Sequence, residues 1–376
     1  MTKIAILFAN YGPYHLARIN SFQKHCNLLG WSVFGIELTR SGVAYDWKTQ
    51  LKDFPVSIFS VIGEQELEKV KFTQLLQRLY TILTQINPDV LAIAGYFRLS
   101  MLAALEWNLR HRKPTILLSA TKEDDAPRSW LFETSKSWLF KRYKAALVGG
   151  NSHKRYLIKL GMSAESIFFG YNVVDNEIFH PDKIKGLPKP LNRPYFLAIN
   201  RFVPKKNLLL LLSAYGTYHQ SAGSKAWDLV LCGDGQLRSD IEKYLSEFSS
   251  QDCIHLPGFL QQDELLPYFA HASCFIHASI QEQWGLVVNE AMAAGLPVLI
   301  SNRCGCFEDL VIEGINGFGF DPENPKQLTD LMLKISSGEI DLNKMGQAAL
   351  KHIQKFSPDY FAQGLIQAVK YALAHS

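Results

Sequence analysis

The feature that most constrains this 376-residue chain is a strand–turn–helix cycle that runs twice and is interrupted once. In the first series KIAILFA, WSVFGIEL, the run Val90 to Ala94, PTILLSA, KAALVGG and IFFGYNVV are apolar stretches of strand length. A glycine turn and a helix from about His15 to Leu29 follow the first of them. Strands that are apolar along their whole length must be buried on both faces, and a parallel sheet with helical crossovers provides that burial. Near Phe179 the cycle lapses into HPDKIKGLPKPLNRP, rich in proline and charge, which reads as a linker. It then restarts through YFLAIN, WDLVLCG, CIHLPGF, CFIHAS and PVLIS. The pattern predicts an α/β protein with two Rossmann-like, doubly wound domains facing across a cleft at the carboxyl ends of their strands. The expected division is residues 1–185, residues 186–355, and a terminal helix, 356–376, packing back on the first domain. That helix is amphipathic and opens on Ser-Pro, a start signal.

Composition narrows the function classes. A hydrophobic share of 47%, with 20% charged and 12% aromatic residues, is that of a globular chain with ample core material. The 39 basic and 35 acidic side chains leave a net charge of +4, which suits an anionic small molecule and is too weak for nucleic acid. The N-terminal apolar run is too short for a secretory signal, and no stretch approaches the ~20 apolar residues of a membrane span. Six scattered cysteines read as free thiols in a reducing cytoplasm, and the CGC pair at Cys304 and Cys306 lacks a second pair for zinc.

The stretch EQWGLVVNEAMAAGLPVLIS, beginning at Glu282, carries the most chemistry. It follows CFIHAS, so it opens at a carboxyl strand edge, where ligands bind in such folds. Its helix starts near Gly285 and stops at Gly295, with Pro297 beyond. No Ser, Thr, Asp or Asn stands ahead to cap it, and bare amides at a helix N-terminus make an anion site. Glu290 lies mid-helix among Val287, Val288, Ala291 and Ala294, where a carboxylate needs hydrogen-bond donors such as vicinal ribose hydroxyls. Glu290 as a solvated face residue and Glu282 as a loop charge remain the alternative.

The Glu282-x7-Glu290 spacing running into EAMAAGLPVLIS resembles the donor site of group 1 nucleotide-sugar glycosyltransferases, family 4, of the GT-B fold. The resemblance covers most of the chain and is strongest from Leu197 to Pro322. It implies that Glu290 binds the nucleotide ribose, that Glu282 lies beside the donor sugar, and that the amides at Trp284, Gly285 and Leu286 hold diphosphate and sugar. INRFVPKKN resembles the loop that gives one arginine and one lysine to the diphosphate, here Arg201 and Lys206, with Lys205 the exposed neighbour. Fixed cations there stabilise a departing dianion with little reorganisation. LVLCGDG is like the family's strand and turn, so Gly233 joins the donor set, although an ordinary strand-to-helix turn explains the same glycines. Gly258 and Phe259, within Pro257 to Leu260, fall where the family contacts the base. Two departures stand after the donor helix, where Cys306 and Asp309 replace a glycine and a glutamate.

The first half is less legible. Gly12 and His15 fit the loop that lines the family's sugar cleft, and His15 equally fits a surface position at a helix start. The usual histidine after a later strand is missing from LLSATKEDDAPR, which leaves Thr121, Lys122 or Glu123 as substitutes and Arg128 within reach. Asn172 and Val173 match features near the domain boundary. No Asp-x-Asp pair occurs, so the resemblance implies a metal-independent, cofactor-free, retaining hexosyltransferase using a donor that is most simply UDP-linked and an acceptor hydroxyl on a sugar, lipid-linked sugar or small molecule. A sugar-nucleotide epimerase or hydrolase and a non-catalytic nucleotide-sugar binder are the rivals. RSWLFETSKSWLFKRYKAA admits two readings, a basic amphipathic helix on an anionic membrane face or a core-packing helix with a solvated basic face.

Overall fold

The computed structural model describes residues 1–41, 54–125, 129–246 and 251–376. These form two compact units, Met1–Asp175 with Phe356–Ser376, and Asn176–Lys355. In the first, β1 (Lys3–Phe8), β2 (Ser32–Glu37), β3 (Ser57–Ser60), β4 (Val90–Ala94), β5 (Thr115–Ser119), β6 (Ala145–Val148) and β7 (Ile167–Phe169) make one parallel sheet in the order β3-β2-β1-β4-β5-β6-β7. In the second, β8 (Tyr195–Ile199), β9 (Asp228–Cys232), β10 (Ile254–Gly258), β11 (Cys274–His277), β12 (Val298–Ser301) and β13 (Gly317–Phe320) run β10-β9-β8-β11-β12-β13. Both sheets are doubly wound, and helices on either face account for strands such as Ile4–Leu7 and Leu229–Leu231 that have no exposed side.

Two of the four edge strands, β3 and β13, have no counterpart in the apolar runs, whereas the edges β7 and β10 do. SIFS is half exposed along its length, and GFGF alternates glycine with phenylalanine. Short strands of this composition carry little of the continuous apolar signal that marks central strands.

The last helix, Pro358–Ala374, belongs to the first unit and lies against the helix Pro13–Leu28. Ser21 Oγ donates to Asp359, and Phe22 meets Phe361 edge-to-face at 6.4 Å. Gly364 sits so close to β7 that a Cβ would fall 1.9 Å from the Phe169 carbonyl oxygen. The helix Trp130–Phe140 departs from the core-packing reading. Phe140 is buried and Leu139 partly so, but Trp130, Leu131 and Trp138 stand largely in solvent. Among the described residues no helix is long and apolar enough to cross a membrane. All six cysteines are free thiols, and only Cys253 is not buried.

Gly364→Ala is expected to lift this helix off the sheet and cost roughly 1–3 kcal/mol, the scale of overpacking. The measurement is the urea midpoint followed by circular dichroism, and an unchanged midpoint would refute the close packing.

Candidate functional site

In the second sheet the strand order reverses between β8 and β11. The chain leaves these neighbouring strands in opposite directions, so the loops after them diverge and leave room at their carboxyl ends. The loop after β8 carries Arg201, which is exposed, and Lys206, which is 9% exposed. The loop after β11 carries Glu282, and the Lys206 ammonium donates to its Oε2. His277, wholly buried at the end of β11, brings Nε2 to 3.3 Å from the same oxygen, and Ser279 Oγ lies 3.2 Å from that nitrogen.

Burial pushes the Glu282 carboxyl up, but the His277 hydrogen bond and the Lys206 charge outweigh it and hold the group well below the usual carboxylate range. Burial lowers the His277 pKa, and the Lys206 charge lowers it further. The ring is therefore neutral. A carboxylate only accepts, so Nε2 carries the proton and Nδ1 is left as a buried acceptor with no hydrogen-bond partner.

Main-chain bonds fix the rest of the edge. Ile280 N donates to Lys205 O at 3.0 Å, Gly305 N to Glu282 O at 3.0 Å, and Cys306 N to Trp284 O at 3.2 Å. Lys205 itself is half-buried. Gly285 is in the left-handed region at φ 100° and caps the helix Leu286–Ala293 with no side-chain hydrogen bond. A Cβ there would meet its neighbours at ordinary distances, so it is the backbone conformation that calls for glycine. The first amides of this helix lack the intrahelical partners that later ones have. Trp284 is 2% exposed, and its Nε1 donates to Asn289 Oδ1 at 2.8 Å, so its indole is packing while its backbone forms the edge. Leu286 is half-buried, and Glu290, one turn into the helix, is 4% exposed.

The turn after β9 closes against the β8 loop. A Cβ on Gly233 would fall 1.7 Å from Asn200 O, and Phe202 N donates to Asp234 O at 2.8 Å. Gly233 N donates to Gly258 O at 2.8 Å, which ties in the end of β10 and the exposed Phe259 beyond it. Arg201, Lys206, Gly233, Gly258, Phe259, Glu282, Trp284, Gly285 and Leu286 thus occupy the carboxyl ends of four strands of one sheet. At the departures, Cys306 is buried and Asp309 N donates to its carbonyl at 3.1 Å. Burial raises the Cys306 thiol far above its ordinary value.

Two residues at this edge escaped the sequence reading. His277 is one. The other is Asn200, 8% exposed, whose side-chain nitrogen and oxygen are both buried without a hydrogen-bond partner. Each is a polar residue closing an apolar strand run, in CFIH and YFLAIN, and that position was the available signal.

The first-unit candidates lie at the carboxyl ends of β1 and β5, with β4 between. Gly12 N donates to His15 Nδ1 at 3.2 Å, and the His15 ring packs on Phe8 with centroids 4.2 Å apart. Burial and the nearby Arg18 lower the His15 pKa to about 3. Arg18 is itself buried and donates to Val173 O from Nε at 3.1 Å and Nη2 at 2.8 Å, while Asn172 is also buried. Thr121 Oγ1 meets the Tyr96 hydroxyl at 3.2 Å. Lys122 is buried with Nζ 2.6 Å from Asp124, and Glu123 is ion-paired with Lys159. Lys122 and Glu123 are therefore engaged within their own unit, and Arg128 lies outside the described residues.

Residues 179–352 match the family model for glycosyl transferases group 1. The amylovoran biosynthesis glycosyltransferase AmsK of Erwinia amylovora is 26% identical over 61% of this chain and 57% of its own. A glycosyltransferase from Rickettsia africae ESF-5 superposes with a TM-score of 0.77 at 16% identity, over 100% of this chain and 99% of that one. Anabaena Alr3699/HepE in complex with UDP and glucose superposes with a TM-score of 0.76 at 16% identity, over 98% and 100%. The chain spans about half the length of the curated relatives it matches. At these identities the structural likeness is one of fold, the two-domain α/β architecture of GT-B glycosyltransferases.

Two outcomes are expected of this geometry. Lys206→Met leaves the Glu282 carboxylate buried without its cation and should cost roughly 3 kcal/mol in chemical denaturation. Adding Glu282→Gln should restore much of the loss, and additive losses would refute the coupling. In the first unit, His15 is neutral when folded and titrates near its ordinary ~6.5 when unfolded. The unfolded chain then binds the extra proton between about pH 6.5 and about 3, so stability falls as pH drops through that window. His15→Gln keeps an acceptor for the Gly12 amide and should flatten the slope by up to one proton, about 1.4 kcal/mol per pH unit.

Proposed function

We propose, from the premise that residues 179–352 form a group 1 glycosyltransferase domain, that the chain is a retaining family 4 glycosyltransferase. In this reading it moves a hexose from a UDP-linked donor to an acceptor hydroxyl. The observation that carries the proposal is the edge at β8 and β11. There an uncapped helix N-terminus behind a left-handed glycine stands beside Lys206, Glu282 and the buried carboxylate of Glu290.

A diphosphate suits this edge. The Leu286 and Val287 amides and the positive end of the helix offer donors without desolvation cost to a side chain. Arg201 adds a planar pair of donors. Lys206 keeps further protons for phosphate while one is held by Glu282. Glu290 accepts from ribose hydroxyls, the backbone at Gly258 and Phe259 meets the base, and the amide of Asn200 gains a polar partner on ligand binding. Glu282 frames the sugar and is not a nucleophile. Held as a carboxylate by His277 and Lys206, it is also unsuited to protonate a leaving group.

In the proposed reaction the bond from the anomeric carbon to the phosphate oxygen breaks. A bond to the acceptor oxygen forms on the same face, and the acceptor proton passes to the departing phosphate. The charge that develops there is met by Arg201, Lys206 and the helix amides, the largest single contribution such a site makes. Gly12 and His15 are assigned to the acceptor side. Residues 1–185 take the acceptor and residues 186–355 the donor, with the chain cytoplasmic.

A thermal-shift screen of UDP, GDP and ADP sugars, followed by mass-spectrometric transfer assays on cell extract, tests this. Stabilisation by a UDP sugar and transfer to a hydroxyl acceptor are expected. No shift with any donor sinks the proposal, and donor consumption without acceptor marks a hydrolase or epimerase. Glu290→Ala should weaken UDP about tenfold or more, the value of a hydrogen bond to a charged group. Unchanged affinity removes the ribose assignment.

A further inference from the structure

The helix Trp130–Phe140 is inside out. Stepping about 100° per residue, one face carries Glu133, Lys136 and Phe140, and the opposite face carries Leu131, Thr134, Trp138 and Arg142. The charged pair Glu133 and Lys136 points inward, while Thr134 and Ser135 are exposed. Lys136 Nζ donates to Glu133 Oε1 at 3.1 Å, and the buried Tyr156 hydroxyl donates to the same carboxylate at 2.8–2.9 Å. Phe140 and Leu139 pack on the core, but the other large apolar residues of the helix point outward. Trp130 is 72% exposed, Leu131 66%, Phe132 72% and Trp138 63%. A surface helix of a freely solvated protein has the reverse arrangement. Four large apolar side chains exposed on an eleven-residue helix are an amount of bare apolar surface that marks an interaction site.

The charge at the edge of this patch identifies the occupant. Lys141, Arg142 and Lys144 follow the helix and are all exposed, with the Arg142 guanidinium stacked 4.4 Å from the Trp138 ring centroid. The one acid on the helix, Glu133, is turned inward and engaged. Tryptophan flanked by exposed cations suits the boundary between headgroups and acyl chains, where the indole has an apolar body and a polar N–H. A two-fold contact between copies of this face would bring these cations together. We infer that this face seats on an anionic phospholipid surface, with the helix lying in the membrane plane. The inference stands on this helix alone and holds whatever the carboxyl edge of the second sheet binds.

The test is co-sedimentation of the full chain with sucrose-loaded vesicles, of phosphatidylcholine alone or of equal parts phosphatidylcholine and phosphatidylglycerol. The chain is expected to pellet with the second and remain in solution with the first, and added salt should release it. Trp130→Ser/Trp138→Ser and Lys141→Glu/Arg142→Glu should each lower partitioning about tenfold or more. On the unaltered chain, brominated acyl chains in anionic vesicles should quench tryptophan fluorescence, a readout that needs no variant to fold. No pelleting with anionic vesicles, no quenching, or folded variants that bind as well as the parent would each overturn the inference. So would self-association, seen by sedimentation velocity without lipid, that the tryptophan variants abolish, because the face would then belong to a second copy.

Discussion

The ion pair between Lys206 and Glu282 joins the two loops that the sheet topology drives apart. β8 and β11 are neighbours, yet their connections leave toward opposite sides, and beyond the ladder pair Leu197 and Phe275 the loops are also linked by the Ile280 N to Lys205 O bond. Two charges taken out of water repay their desolvation only with good geometry and further hydrogen bonds. His277 supplies one such bond to the carboxylate, and the main chain of Glu282 is held by Gly305. The Lys206 charge helps keep Glu282 anionic, burial first and then the Lys206 charge lower the His277 pKa, and the Ile280 N to Lys205 O bond shares in setting the loop geometry.

Around that contact the edge is built mostly from backbone. The Gly233 turn approaches Asn200 so closely that only glycine fits, and the left-handed Gly285 turns the chain into its helix without a side chain in the way. Bare amides in a fixed frame favour anions because their dipoles are already oriented. This arrangement was legible in the sequence because its determinants are local. A glycine before a helix, the absence of a capping residue and the spacing of Glu282 and Glu290 can all be read along the chain.

What could not be read is what tertiary packing decides. His277 and Asn200 look like ordinary strand-end residues until the fold buries them and leaves polar atoms without partners. Lys122 and Glu123 look available until Asp124 and Lys159 engage them. The central strands were legible from continuous apolar runs, since burial on both faces leaves that mark. β3 and β13 were not, because SIFS is bounded by serines and GFGF interrupts its phenylalanines with glycine, although the edge strands β7 and β10 did leave apolar runs.

Leu286–Ala293 and Trp130–Phe140 depart in opposite senses from the rule that polar residues face water. Leu286–Ala293 buries a carboxylate, Glu290, among Val288, Ala291 and Met292. Trp130–Phe140 exposes its indoles and turns its ion pair inward. The second arrangement does not help a solvated monomer, since an exposed indole orders water. The helix Phe72–Ile86 shows the ordinary pattern, with Leu75, Leu79, Leu83 and Ile86 all buried. Where a chain is otherwise consistent across levels, a local violation marks a place shaped for something other than folding. For Trp130 and Trp138 the chemistry that relieves it is an apolar surface with anionic edges.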